Sequence, residues 1–93
     1  MAALELRKNE DADRYEAHLN GQRIGLATYF LRGDVVVLPH TETDPAFGGR
    51  GYAGRLVQFA LDDIRAAGHK VDPACPFVAD YIAKHQEYAD LLE

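Results

Sequence analysis

The residues Phe47-Gly48-Gly49-Arg50-Gly51-Tyr52-Ala53-Gly54 hold the densest chemical signal in the chain. Glycines at these spacings leave backbone N–H groups uncovered by side chains. A helix starting at the same point adds its orphan N–H groups and the positive end of its dipole, a site suited to phosphate. Arg50 and Arg55 lie in and just past the loop and could add a charged contact. Upstream, His40 and Glu42 are two residues apart on an extended segment, so their side chains share one face. Either could accept a proton, His40 because imidazole titrates near neutrality. Downstream, Cys75 stands between Ala74 and Pro76. It could act as a nucleophile with His40 as its base, or be the small buried apolar residue that free cysteines commonly are. The chemistry on offer is phosphate binding next to groups that can move a proton.

These residues need elements to hold them. Leu4, Leu6 and Lys8 alternate with Glu5 and Arg7, and Tyr15, Ala17 and Leu19 with Glu16 and His18. Both stretches read as strands, separated by the polar turn Asn9 to Asp13. Asn20-Gly21 is a hairpin signal, because both tolerate the positive φ of a type I′ turn. Residues 24 to 31 and 35 to 43 are a third and fourth strand about the turn Arg32-Gly33-Asp34. Pro39 cannot donate to a sheet ladder, which marks an edge, a bulge or a splay. The period then changes. Ala53, Leu56, Val57, Ala60, Leu61 and Ile64 form an apolar face at helical spacing, closed by a Gly68 cap. His69 to Asp72 is a short strand, Pro73 to Pro76 a rigid connection, and Phe77, Val78, Tyr81 and Ile82 a second helix. Tyr88 to Leu92 adds a final helical turn or two. The order β-β-β-β-α-β-α predicts a compact α/β (α+β-like) fold. In it an antiparallel meander precedes a β-α-β-α unit with a parallel, right-handed crossover.

With 93 residues the chain is expected to form a single domain over 1–93. The net charge of -5 argues against general nucleic-acid binding, which needs a basic surface. Met1-Ala2-Ala3-Leu4 runs straight into charged residues, so no leader is expected, and no apolar run approaches a membrane span. A lone cysteine excludes an internal disulfide and fits the cytoplasm. No metal is expected.

Three glycine-loop chemistries compete. Gly49, Gly51 and Gly54 match the spacing of a dinucleotide fingerprint, but the repeated βα units of such a domain are missing. A nucleotide P-loop requires a Gly-Lys-Ser/Thr run, and no lysine is near. The run Pro45 to Ala53 resembles motif A of the GNAT superfamily of N-acetyltransferases, Arg/Gln-x-x-Gly-x-Gly/Ala, with Gly51 and Ala53 matching and Gly48 replacing the usual Arg or Gln. His40-Thr41-Glu42, the segment Cys75 to Ile82 and His85-x-Glu87-Tyr88 resemble the small YjdJ-type branch of minimal acetyltransferases, over about Leu4 to Leu92.

The resemblance implies a GNAT-like fold whose fourth and fifth strands splay apart. It implies that Gly48, Gly49, Arg50, Gly51, Tyr52, Ala53 and Gly54 bind the pyrophosphate of acetyl-CoA, with main-chain groups around Thr41 and Thr43 binding the pantetheine arm. Tyr81 matches the tyrosine that protonates the CoA thiolate in many members, and His40 and Glu42 are the candidate bases. Cys75 would line the thioester end of the cofactor opposite His40, as a covalent relay or as a bystander to direct transfer. The implied reaction is acetylation of an amine, small or on a protein, by a monomer or homodimer, with no nucleic acid or membrane involved. A non-enzymatic acyl-CoA-binding or protein-interaction module is the alternative, and a structural domain without ligand a weaker one.

Overall fold

A computed structural model describes residues 3–93, so the Met1-Ala2 part of the leader reading lies outside it. Five strands form one sheet in the order β1 (Leu4–Asn9), β2 (Arg14–Leu19), β3 (Gln22–Arg32), β4 (Val35–Thr43) and β5 (Lys70–Asp72). Neighbours β1 to β4 pair antiparallel, and β5 pairs parallel to β4. The hairpin residues behave as their turn requires: Asn20 and Gly21 have φ of 52° and 79°. Helix α1 (Tyr52–Ala66) links β4 to β5, and α2 (Pro76–Lys84) follows. A 3-10 segment, Gln86–Leu91, takes the place of the expected last helical turns.

The helical face read from the sequence is the buried one. Leu56, Val57, Ala60, Leu61 and Ile64 lie against Tyr15, Ala17, Ala27, Val36 and Leu38 of the sheet, with Val71, Val78 and Ile82 closing the core. Helix α1 ends in a Schellman arrangement. Gly68 (φ 77°) lets its N–H reach the Arg65 carbonyl at 3.0 Å while His69 N–H reaches Ile64 at 3.2 Å. The C-terminal segment is tied down by polar contacts. Arg65 makes two hydrogen bonds to the Asp90 carboxylate, Lys70 donates to the Asp90 carbonyl, and Leu92 bridges in parallel to Val71.

Two irregularities matter for the site. The β3–β4 register shifts between Thr28↔His40 and Phe30↔Val37, so β4 carries one extra residue at Leu38-Pro39. This is the bulge expected at Pro39. Pairing between β4 and β5 covers only Val35 to Val37. One further hydrogen bond, Cys75 N–H to the Leu38 carbonyl at 2.9 Å, ends the contact. From Pro39 onward no strand pairs with β4 on that side among the described residues, although Thr41 meets Cys75, and β4 and β5 separate as the resemblance implies.

On the sheet face away from the helices, Glu16 is buried and accepts hydrogen bonds from Arg14 (2.6 Å) and Asn9 (3.0 Å), with His18 at 2.8 Å. Burial alone would raise its carboxyl; the bonds from Arg14, His18 and Asn9 outweigh it and hold it at about 2, against 4.5 ordinarily. A depressed folded-state value means stabilisation fully present above the unfolded value and lost as pH falls toward the folded one. Thermal melts of wild type and Glu16→Gln should therefore differ most above the ordinary Glu value and converge as pH falls toward about 2. A gap that stays constant through this window would contradict the assignment.

Candidate active site

The glycine loop follows a short 3-10 turn, Pro45–Phe47, whose preceding Asp44 carboxylate accepts the Ala46 N–H at 2.9 Å. Gly49 (φ 76°) and Gly51 (φ 79°) are left-handed, and a Cβ on either would meet nothing within 4 Å. Glycine is required there by backbone conformation, and the space before the helix is open. Gly51 is the N-cap of α1 and brings no side-chain cap. The first bond into the helix is Arg55 N–H to the Gly51 carbonyl at 3.1 Å. The amides of Gly49, Arg50, Gly51, Tyr52, Ala53 and Gly54 thus have no backbone acceptor among the described residues. This is an uncapped helix start with an array of free donors, the arrangement that anions complete. The Arg50 guanidinium lies 5.7 Å from the Phe47 ring centre, and Phe47 and Tyr52 pack at 6.5 Å. Arg55 is exposed one turn further on.

The bulge decides which β4 side chains see the gap. Val36 and Leu38 face the helices, and so do Thr41 and Thr43 beyond the extra residue. The Thr41 hydroxyl is 3.5 Å from the Cys75 sulfur. His40 and Glu42 are brought together on the opposite face, 3.5 Å apart and more than half exposed. His40 therefore does not face Cys75, contrary to the expectation from the sequence. The thiol's surroundings are Thr41 and the start of α2, of which Cys75 is the N-cap. Burial pushes the thiol up, but the Thr41 hydroxyl and the amides of Val78, Phe77 and Thr41 outweigh it and lower its pKa. The Thr41 side chain thus faces the gap, whereas the resemblance implies a role only for its main chain. No local signal marks it, because the bulge alone turns it inward.

Tyr81 projects from α2 toward the head of α1. Its Cε2 would stand 3.6 Å from a Cβ on Gly54, so the ring packs against bare backbone next to the loop. Burial, with the Glu87 and Asp62 carboxylates nearby, raises its phenol. Two other tyrosines are committed elsewhere. Tyr15 donates to Asp63 at 2.8 Å, and Tyr88 donates to Asp62 at 2.7 Å and is pushed up to about 12, mainly by burial. The Tyr81 hydroxyl has no such carboxylate partner among the described residues. Beside Glu42, a recess of about 230 Å³ is lined by Arg23, Gly25, Leu26, Thr43, Asp44 and Pro45.

An uncapped helix start after a glycine loop, beside two separating strands, sets the site within a family. The sequence model of the GCN5-related N-acetyl-transferase family matches residues 14–91. The chain belongs to that family. A member of this family is an acetyltransferase, and the family generally uses acetyl-CoA as acetyl donor. The fold is shared with solved structures. A GCN5-like putative N-acetyltransferase from Staphylococcus aureus, solved by NMR, aligns over 100% of this chain and 91% of its own, with TM-score 0.76 and 21% identity. The ribosomal-protein-S18-alanine N-acetyltransferase of Escherichia coli aligns over 92% and 76%, with TM-score 0.67 and 13% identity. An N-acetyltransferase from Staphylococcus aureus Mu50 aligns over 82% and 50%, with TM-score 0.59 and 20% identity. A search of curated proteins finds no match.

The Cys75 geometry has a direct consequence for reactivity. Thr41→Val removes a group that lowers the thiol pKa, so the pH profile of Cys75 alkylation should move to higher pH. His40→Ala should leave the profile in place. Mass spectrometry of alkylation rates across pH reads both, and a shift in His40→Ala alone would restore the imidazole as the thiol's partner.

Proposed function

We propose that the chain transfers the acetyl group of acetyl-CoA directly to an exposed primary amine. The observation that carries this reading is the row of unpartnered amides from Gly49 to Gly54 at the head of α1, beside the β4–β5 gap. The cradle fits a pyrophosphate: it is open, its donors are unpaired, and the α1 dipole adds positive potential. Acetyl-CoA supplies an activated acyl thioester when bound. Arg50 and Arg55 add charge around the phosphates, and Gly48 leaves that task to backbone and arginines alone. Main-chain groups of Thr41 to Thr43, free of β5, hold the pantetheine arm.

The amine enters from the sheet face opposite the helices. The connection between β1 and β2 is only a 3-10 turn, Glu10–Ala12, so no helix walls that side. The acceptor is then a small amine or an amine carried on a protein; the Escherichia coli neighbour is named for a protein alanine. Glu42, beside the recess and paired with His40, takes the ammonium proton. Tyr81, with its hydroxyl unengaged by a carboxylate, gives a proton to the departing thiolate. Direct transfer is favoured over a Cys75 relay because the base that the relay needs lies on the other face of β4.

Titration with acetyl-CoA should shift the amide resonances of Gly49 to Gly54. Gly51→Asp, which forces a side chain onto φ 79° and sets an anion in the cradle, should weaken binding by at least about tenfold. Shifts confined to residues remote from the loop would overturn the cradle. Tyr81→Phe should lower kcat by about a hundredfold. Cys75→Ala should keep most activity, and acetyl-CoA should leave no acetyl mass on Cys75. An adduct together with an inactive alanine variant would establish the relay instead.

A further inference from the structure

Tyr81 has an orientation problem. A phenol that delivers a proton must hold one direction, and a free hydroxyl cannot fix its own ring. Tyr15 and Tyr88 are fixed through their hydroxyls by Asp63 and Asp62. Among the described residues Tyr81 lacks such an anchor, so its rotamer has to be set by what touches the ring.

His85 touches it. The two rings stack with centroids 3.9 Å apart and an interplanar angle of 15°. His85 Nδ1 lies 2.8 Å from the Tyr81 carbonyl oxygen, which can only accept, so Nδ1 carries the hydrogen. His85 leaves the helix at φ −132°, ψ 78°, and this turn brings its ring back over the residue four positions earlier. The opposite constraint is the Gly54 backbone, where Cε2 packs. We propose that His85 is a positioning residue for the proton donor of the acetyl transfer: anchored on the Tyr81 carbonyl and stacked on the Tyr81 ring, it holds the phenol toward the head of α1. The inference rests on the proposed role of Tyr81 as acid.

The same histidine also caps α2. Its Nδ1–H satisfies the Tyr81 carbonyl and its main-chain N–H the Ile82 carbonyl, while the Gln86 side-chain Nε2 donates to the Ala83 carbonyl. Capping and stacking separate by substitution. His85→Asn retains a side-chain donor for the cap but no ring. His85→Phe retains a ring but no donor. The assay is thiol release from acetyl-CoA with a short lysine peptide as acceptor, together with melting temperatures and the aromatic resonances of Tyr81.

If His85 positions Tyr81, His85→Asn lowers kcat about tenfold while KM for acetyl-CoA stays near its wild-type value, and the Tyr81 resonances move as the stacked ring is lost. His85→Phe recovers kcat to within about threefold even where its melting temperature is lower. On a Tyr81→Phe background, His85→Asn costs nothing more, because the two residues act as one unit. Activity that follows the cap instead, restored in His85→Asn and low in His85→Phe, overturns the proposal. So does a full His85→Asn penalty on the Tyr81→Phe background. A wild-type protein that releases no thiol and shows no acetyl-CoA shifts at Gly49 to Gly54 removes the acetyl-transfer reading itself, and this inference with it, before any variant is made.

Discussion

One extra residue in β4 organises the site. Pro39 has no N–H to give to the ladder, and the register slips at Leu38-Pro39. Side chains alternate with a period of two, so one added residue inverts every face downstream. Without it the run Val36, Leu38 would continue through His40 and Glu42 on the helix side. With it, Thr41 and Thr43 turn inward, and His40 and Glu42 turn out. The bulge also marks where β4 stops pairing with β5. A single feature thus opens the gap, lines it with small hydroxyl side chains and sends the titratable pair to the free face of the sheet.

The loop and the core are coupled through α1. An array of amides recognises an anion well only if it does not have to be ordered on binding. Helix α1 is fixed over most of its length by residues that are at most 2% exposed, from Leu56 to Ile64. Its N-terminal turn is by contrast uncapped and open. Glycine at the N-cap gives up only about a few tenths of a kcal/mol against a side-chain cap, and it leaves the first amides open to a ligand. Gly54 links the two regions, since its bare backbone receives the Tyr81 ring of α2. Helix α1 and the phenol of α2 are therefore packed together next to the loop.

Much of the fold could be read from local pattern. The Asn20-Gly21 hairpin, the 3.6-residue spacing of α1 and the Gly68 cap each involve contacts within a few residues, and each stands in the structure where the spacing put it. The site was legible where it depends on backbone type, as at Gly49 and Gly51, both left-handed. It was not legible where it depends on parity. Alternation puts His40 and Glu42 on a common face, but which face is set by a register slip against β3, a partner chosen in three dimensions. The proline signalled a bulge without fixing its residue count. The committed hydroxyls of Tyr15 and Tyr88 were equally hidden, because their aspartates come from α1, 48 and 26 residues away in sequence.

The thiol shows how these constraints combine. A buried sulfur in apolar surroundings is normally inert. Here burial is opposed by the Thr41 hydroxyl and by amides at the start of α2, and the thiol pKa is lowered. Among the described residues, however, the sulfur has no imidazole partner to return protons through a two-step transfer. The groups that lower its pKa are also those that fasten Thr41 to the head of α2. On this reading the contact does mechanical work: it joins the free stretch of β4 to the helix that carries Tyr81. It thereby spans the gap that opens between the two elements beyond Pro39.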